Sequence, residues 1–200
     1  MITAIGDTMR RAYELGWITT RDGNASLRRS DSDVCYITPS GWRKSIIHPE
    51  HMLKFVIQNG NPVLKKNGDS KPSGELEMHA KLLENVSHTR AVLHLHPTHI
   101  ISAMYAGFDL QNLAAEFPEV SRYTGVGPSV GVLPVTSTVL AEATAAALGL
   151  SEDGTLAHDI VGQKNHGVCA VGKNPWDAFE HIERLNHICE IVLTSGVRPE

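Results

Sequence analysis

Residues 91–96, with the sequence Ala-Val-Leu-His-Leu-His, constrain the fold of this chain more than any other segment. The run is apolar except for its two histidines, as is typical of a short strand buried on both faces of a sheet. Residues two apart on a strand project to the same face, so His94 and His96 should point together. Pro97 follows at once and suits the first turn of a helix. The run therefore predicts a covered sheet with two imidazoles at a strand-to-helix corner, where α/β sheets form their sites.

The rest of the chain alternates short strand patterns with helical ones. We expect helices over 2–17, from about 73, over 97–107, 138–148 and 175–195. We expect strands over 25–28, 34–38, 91–96, 130–135, 160–161 and 168–171. A polar hairpin region should cover 58–71, with turn signals at 59–62 and 67–69, and a long functional loop should cover 108–129. This order predicts the α/β class: a three-layer α/β/α single domain over residues 1–200 with a mixed, largely antiparallel central sheet.

Composition excludes several classes of protein. The chain has 200 residues and a formal charge of -4, so no global basic charge draws it to nucleic acid. No apolar stretch reaches the roughly 18 residues that a membrane span needs. Its three cysteines, Cys35, Cys169 and Cys189, form no Cys-x-x-Cys pair. An odd cysteine count argues against a disulfide framework and favours a reducing, cytoplasmic location.

Two imidazoles on one strand face could share a metal ion, and zinc then needs at least one more protein ligand. His166 is the best candidate because Gly167 allows a sharp turn between two predicted strands. His79, on the helix that starts near residue 73, is a weaker candidate to approach the site. The plainer alternative is that His94 and His96 are core histidines bonded to backbone carbonyls, and the spacing alone does not decide between the two.

Glu75 follows the segment 71–74, Lys-Pro-Ser-Gly, at the predicted start of a helix. A helix N-terminus stabilises anions, so Glu75 is either a capping residue or, if that end receives a phosphate, a group that faces the metal. Residues 23–26 and 38–41 are two further loops of small residues with free amides and hydroxyls. Each alone is typical of an ordinary turn, but three such loops together can form a nest for an oxyanion. None carries a nucleotide-binding pattern.

Five segments in this order resemble the class II aldolase/adducin family over roughly residues 5–195. They are GNASLR at 23–28, ITPSG at 37–41, KPSGELEMH at 71–79, HLHPTH at 94–99 and KNHGVCAVG at 164–172. The resemblance implies an α/β/α fold, a homotetramer with sites between subunits, and one zinc ion per chain. It implies that the metal ligands are His94, His96, His166 and Glu75, with Glu75 also the catalytic acid/base. The implied phosphate-binding positions are Gly23, Asn24, Ser40, Gly41, Ser73 and Gly74.

The implied activity is cleavage or formation of a carbon–carbon bond in a phosphorylated ketose, giving dihydroxyacetone phosphate and an aldehyde. Alternatives within the family are a dehydratase of the methylthioribulose-1-phosphate type, a 4-epimerase and a decarboxylase. A non-catalytic adducin-like structural protein is the alternative of another class. Two departures matter: Gly74 stands where the aldolase often has a second serine, and the C-terminal tyrosine is absent. Tyr123 is the candidate for the other catalytic tyrosine, and Glu119 competes with it.

Overall fold

A computed structural model describes residues 1–65 and 69–199. The second turn signal of the expected hairpin region, at 67–69, lies mostly outside the described residues. The seven α-helices among the described residues are α1 (Ile2–Glu14), α2 (Leu76–Leu83), α3 (Thr98–Ala106), α4 (Leu110–Glu116), α5 (Pro118–Tyr123), α6 (Thr138–Ala147) and α7 (Pro175–Ser195). The strands are β1 (Asn24–Arg28), β2 (Cys35–Ile37), β3 (Leu53–Gln58), β4 (Asn61–Leu64), β5 (Arg90–Leu95), β6 (Ile160–Gln163) and β7 (Gly167–Gly172).

The seven strands form one sheet in the order β4-β3-β2-β1-β5-β7-β6. Every pairing between these strands is antiparallel. The parallel contribution comes from isolated bridges, Val126 to Ile160 and Val130 to Gln163. The α/β class with a largely antiparallel central sheet is therefore confirmed. Strands β2, β1 and β5 lie at the centre, and the predicted histidine pair stands at the end of β5.

Helices cover both faces of the sheet, and each face has its own hydrophobic core. Ala91, Leu93 and Leu95 of β5 join the larger core with residues of α1, α3, α4 and α7. Val92 faces the opposite way, into the smaller core under α2 and α6. Since side chains alternate along a strand, His94 lies on the same face as Val92. The α2–α6 face of the sheet therefore carries the histidine pair.

Two expectations for the middle of the chain are wrong. Residues 108–129 contain α4 and α5 rather than a long irregular loop. Asp109 caps α4 by accepting a hydrogen bond from the Asn112 amide at 2.8 Å, and Pro118 stands in the first turn of α5. Both signals were present in the sequence.

Residues 130–135 form no strand, although Val130 makes the isolated bridge to Gln163. Pro134 lacks the N–H that a ladder needs, and Thr136 has a left-handed φ of 57°. The expected hairpin begins before residue 58, where it was predicted to start. Its two strands are β3 and β4, which pair across a turn at Asn59 and Gly60.

Among the described helices, none combines the length and the apolar composition that crossing a membrane requires.

Candidate metal centre and anion cavity

His94 is a buried strand residue whose ring is fixed from both sides. Its strand, β5, pairs with β1 and β7, and the register sets His94 opposite Asn24 and Cys169. The His94 Nδ1 atom lies 3.0 Å from the Val168 carbonyl oxygen. That carbonyl can only accept, so Nδ1 carries the hydrogen and Nε2 keeps its lone pair. A backbone carbonyl behind an imidazole is the usual way to orient a metal-binding histidine.

His166 reaches the same place from the turn between β6 and β7. Asn165 takes the left-handed conformation there, with φ 58°. Gly167 does not provide the sharp turn that the sequence suggested. It provides room instead, since a Cβ atom at Gly167 would lie 2.4 Å from the Leu95 carbonyl and 2.7 Å from Cδ2 of His96. The two strand ends can meet closely because residue 167 has no side chain.

The three imidazoles converge as predicted. One nitrogen from each of His94, His96 and His166 lies within 4.8 Å of the others. The Nε2 atoms of His94 and His96 are 2.9 Å apart. Three nitrogen donors with a carboxylate beside them match the donor chemistry of a catalytic zinc site, which uses three protein ligands and leaves a position open.

Glu75 lies beside this cluster. Its Oε2 atom is 3.3 Å from Nε2 of His94, and its Oε1 atom is 3.7 Å from Nε2 of His166. Glu75 occupies the N-cap position of α2, yet its side chain makes no capping hydrogen bond. Asn24 donates to its Oε2 atom at 2.9 Å, while Oε1 is buried without a hydrogen-bond partner among the described atoms. The geometry therefore favours a carboxylate that faces the metal ligands over a helix cap.

Burial sets the protonation of these groups. It lowers the pKa of His94 well below the usual value, and the charges of His96 and His166 act in the same direction. Burial, with the charge of His166, lowers the pKa of His96 to about 4. Both rings are therefore neutral at pH 7, as metal binding requires. Burial raises the pKa of Glu75, while the hydrogen bond from Asn24 and the charge of His166 oppose that rise.

A cavity of about 250 Å³ opens onto the cluster and is lined by the three small-residue loops. The loops are tied together: the Ser40 amide donates to the Lys71 carbonyl at 2.8 Å, and the Ser73 amide donates to Thr38 at 3.2 Å. All six positions predicted to hold phosphate line this cavity: Gly23, Asn24, Ser40, Gly41, Ser73 and Gly74.

The side chain of Thr136, which the sequence analysis did not single out, lies next to Gly74. A Cβ atom at Gly74 would lie 2.8 Å from the Cγ2 methyl of Thr136, which also lines the cavity. Thr136 holds a left-handed φ of 57°, an unusual conformation for a β-branched residue and a source of strain. The Thr136 side chain therefore occupies the space that a serine at residue 74 would need.

Lys44 is the second residue that sequence reasoning missed. Lys44 and Arg21 line the cavity, whereas Lys71, which precedes the third loop, does not. The Lys44 side chain is buried, and its Nζ donates to the carbonyls of Arg21 at 3.0 Å and Trp42 at 3.2 Å. Burial lowers its pKa to about 8, against the opposing pull of Asp22. A lysine between Gly41 and Pro49 gave no signal in the sequence that it would be buried.

Tyr123 and Glu119 lie on α5, away from the cavity. The Tyr123 ring is half exposed and packs under the guanidinium groups of Arg122 and Arg184, 5.2 and 5.7 Å from its centre. Neither α5 residue reaches the histidines of its own chain, so a catalytic role for Tyr123 stays a prediction that needs a second subunit.

Residues 3–193 match the family model described as Class II Aldolase and Adducin N-terminal domain. The chain belongs to this family. The predicted resemblance is thus confirmed over nearly the whole chain, and the histidines, Glu75 and the loops all fall inside the matched residues.

Relatives within the family differ in activity. An L-fuculose phosphate aldolase of Methanococcus maripaludis is 28% identical over 182 residues, which cover 91% of this chain and 90% of that protein. A methylthioribulose-1-phosphate dehydratase of Persephonella marina is 24% identical and covers 94% of this chain and 87% of that protein. Both alignments extend along almost the full chain, so overall similarity does not choose between the two reactions.

The fold agrees with a solved structure. A sugar-phosphate aldolase from Thermotoga maritima superimposes with a TM-score of 0.77 at 23% identity, covering 99% of this chain and 97% of that one. At this identity the likeness establishes the shared fold.

Proposed function

We propose that this protein is a zinc-dependent lyase that cleaves or forms a carbon–carbon bond in a phosphorylated ketose, giving dihydroxyacetone phosphate and an aldehyde. The observation that carries the proposal is the meeting of His94, His96, His166 and Glu75 at the wall of a cavity lined by three amide-rich loops. A reactive group and anion-binding groups on the walls of one cavity suit a small phosphorylated substrate.

The metal would be held by His94, His96 and His166, with Glu75 as a further ligand that can exchange with substrate. Zinc supplies Lewis-acid stabilisation of the negative charge that cleavage leaves on the substrate oxygens. The neutral rings of His94 and His96 would leave the charge of the ion undiminished. The buried, otherwise unpartnered Oε1 atom of Glu75 supports this assignment, because an isolated buried carboxylate oxygen is costly.

Glu75 would move the proton in the reaction. A positioned carboxylate can accept a proton from the substrate and return it later in the reaction. In the cleavage direction Glu75 takes the hydroxyl proton next to the breaking bond, or it delivers a proton to the carbon that is left. The hydrogen bond from Asn24 orients the carboxylate for that transfer.

The phosphate would bind at the loops that line the cavity. The Ser40 and Ser73 amides already bond other loop residues, so the donors would be the Gly23, Gly41 and Gly74 amides with the Ser40 and Ser73 hydroxyls. Lys44 would add a full charge: two of its three hydrogens bond backbone carbonyls, which leaves one for the ligand. A buried ammonium needs a counter-charge, and a substrate phosphate would provide it.

A homotetramer with sites between subunits is part of this proposal. Val132 and Val135 stand exposed at 66% and 57%, and Val135 lines the cavity. Exposed apolar side chains next to a site are typical of an interface. An interface there would close the open side of the cavity and bring a neighbour's Tyr123 or Glu119 towards it.

A dehydratase of the same family is the second candidate, because the match to the Persephonella marina enzyme is as extensive as the match to the aldolase and because Gly74 departs from the aldolase pattern. The same early proton transfer would serve both reactions. A non-catalytic adducin-like role is disfavoured because all three histidines and Glu75 are retained and brought together.

The products distinguish these reactions. NMR spectra of purified protein with ketose 1-phosphates should show an aldehyde and dihydroxyacetone phosphate, and Glu75→Gln should abolish both. Loss of water with the carbon chain intact would instead identify a dehydratase, loss of carbon dioxide a decarboxylase, and a new sugar of equal mass an epimerase. No turnover of any phosphorylated ketose would contradict the proposal.

A further inference from the structure

A chain of buried hydrogen bonds continues behind Glu75, into the core and away from the cavity. Asn24 donates through Nδ2 to Oε2 of Glu75 at 2.9 Å. Oδ1 of the same amide bonds Nε2 of His79. Nδ1 of His79 lies 2.6 Å from the Ser26 hydroxyl. All four side chains are buried, and His79 is fully so. The four residues therefore form one continuous path, Ser26–His79–Asn24–Glu75.

One arrangement of donors and acceptors along this chain satisfies all of its hydrogen bonds. An ionised carboxylate accepts hydrogen bonds and donates none, so Glu75 requires the N–H side of the Asn24 amide. The Asn24 oxygen must then face His79, and Nε2 of His79 must carry the ring hydrogen. The other ring nitrogen, Nδ1, is left as an acceptor for the Ser26 hydroxyl. One state of the four groups satisfies every bond.

The reversed direction is poorer. It would present the Asn24 oxygen to Glu75, which suits only a protonated carboxyl group, and would move the His79 hydrogen to Nδ1. Ser26 would then accept from the ring, and its own hydroxyl hydrogen would lose the partner it has. Within the described part of the chain, His79 is the one hydrogen-bond partner of that hydroxyl. Leaving a buried donor unsatisfied is unfavourable, because the group has lost its bonds to water without gaining a partner.

We propose that His79 is a positioning residue: held by Ser26 as the Nε2–H tautomer, it fixes the Asn24 amide so that its N–H side faces Glu75. Glu75 and His79 are four residues apart and share one face of the α2 helix end. Asn24 and Ser26 are two residues apart and share one face of β1. Burial lowers the pKa of His79 to about 3, which keeps the ring neutral and the direction of the chain defined.

The inference rests on the proposed function in its kinetic consequence, but the direction of the chain can be tested without any reaction. Two-dimensional 1H–15N spectra of protein with 15N-labelled histidine distinguish the two neutral tautomers. The His79 signals are assigned by their disappearance in His79→Gln. We expect the Nε2–H tautomer of His79 at pH 7. The Nδ1–H tautomer, or a rapidly exchanging mixture, would overturn the proposal.

The kinetic arm compares two substitutions at the same position. His79→Gln keeps an N–H donor near the place of Nε2, whereas His79→Phe keeps the volume and removes both nitrogens. We expect His79→Phe to lower kcat about 10- to 100-fold, the range for lost outer hydrogen-bond partners of metal sites. His79→Gln should restore most of kcat, and KM and metal content should change little in both. Equal losses in the two variants would reduce His79 to a packing residue.

A double-mutant cycle shows whether His79 acts through Asn24. If it does, Asn24→Ala with His79→Phe should be no slower than Asn24→Ala alone. Losses that multiply would contradict the proposal. If no phosphorylated ketose is turned over, the proposed function fails, while the tautomer of His79 still decides the direction of the chain.

Discussion

Gly167 and His96 stand so close that a single methyl group cannot fit between them. A Cβ atom on Gly167 would lie 2.7 Å from Cδ2 of His96 and 3.2 Å from Cε1 of His94. Two of the three imidazoles therefore keep their places because residue 167 has no side chain. The geometry of the metal centre depends on this gap as much as on the ligands themselves.

Gly167→Ala should therefore lose metal although it removes no ligand. The added methyl group would also meet the Leu95 carbonyl at 2.4 Å, so β5 and β7 must separate at their ends. We expect zinc content to fall severalfold, and we expect a loss of stability of about 1–3 kcal/mol, the usual cost of overpacking. Elemental analysis and thermal unfolding measure the two effects.

Asn165→Gly is the matched control. Asn165 has a φ of 58°, which glycine adopts freely, so this change in the same turn should leave the metal in place. Metal retained at the wild-type level in Gly167→Ala would contradict the role given to the gap.

Glu75→Gln should keep the metal and lose turnover. The amide preserves the shape of the side chain but cannot carry the proton, and positioned acid–base groups typically contribute about 10²–10⁴-fold. Steady-state kinetics on protein of measured zinc content tests this. Glu77→Gln, at an exposed position on the same helix, serves as the control. An unchanged rate in Glu75→Gln would show that Glu75 has no catalytic role and only occupies the start of α2.

The pKa of Lys44 leads us to predict how kcat/KM changes at alkaline pH. Burial lowers its pKa to about 8, so the folded protein holds the ammonium charge below that pH and loses it above. Anion binding needs the charged form. Because kcat/KM reports the free enzyme, its profile for a phosphorylated ketose should fall above pH of about 8.

Lys44→Met should remove that falling limb and raise KM at pH 7, with kcat affected less. Lys44→Arg keeps a charge at every accessible pH and should extend activity to higher pH. An alkaline limb that survives unchanged in Lys44→Met would show that Lys44 only holds the loop through the Arg21 and Trp42 carbonyls.

Mixed oligomers test whether sites lie between subunits. Glu75→Gln and Tyr123→Phe chains, each inactive alone, should recover activity when unfolded and refolded together. Random assembly restores about a quarter of the sites if each site takes Glu75 from one chain and Tyr123 from another. No recovery, in protein shown to be mixed, would contradict a site that takes Glu75 from one chain and Tyr123 from another.

Local patterns in the sequence were enough to predict that three imidazoles converge. The spacing of His94 and His96 on a strand and the turn at His166 depend on neighbours within a few residues, so this cluster was predicted without long-range information. The same kind of pattern was available for His79, which is four residues after Glu75 on one helix face. The contact with Asn24 joins residues 55 apart in the chain, and no local pattern indicates it.

Lys44 and Thr136 were missed for a different reason. A lysine in a polar segment is typical of a solvated surface, and its burial here follows from loops that meet only in the folded chain. Thr136 carries no turn signal of its own, because β-branched residues are rarely left-handed. The sequence does contain signals for α4 and α5, because Asp109 and Pro118 stand at their starts.

The central claim is that His94, His96 and His166 hold one zinc ion on which activity depends, and metal content tests it most directly. Elemental analysis of wild-type protein, purified without added metal, should give close to one zinc per chain. The His94→Ala, His96→Ala double variant should give almost none, with its fold retained in circular dichroism spectra. His187→Ala, at an exposed position on α7, should keep the wild-type value. Full zinc content in the double variant would contradict the account.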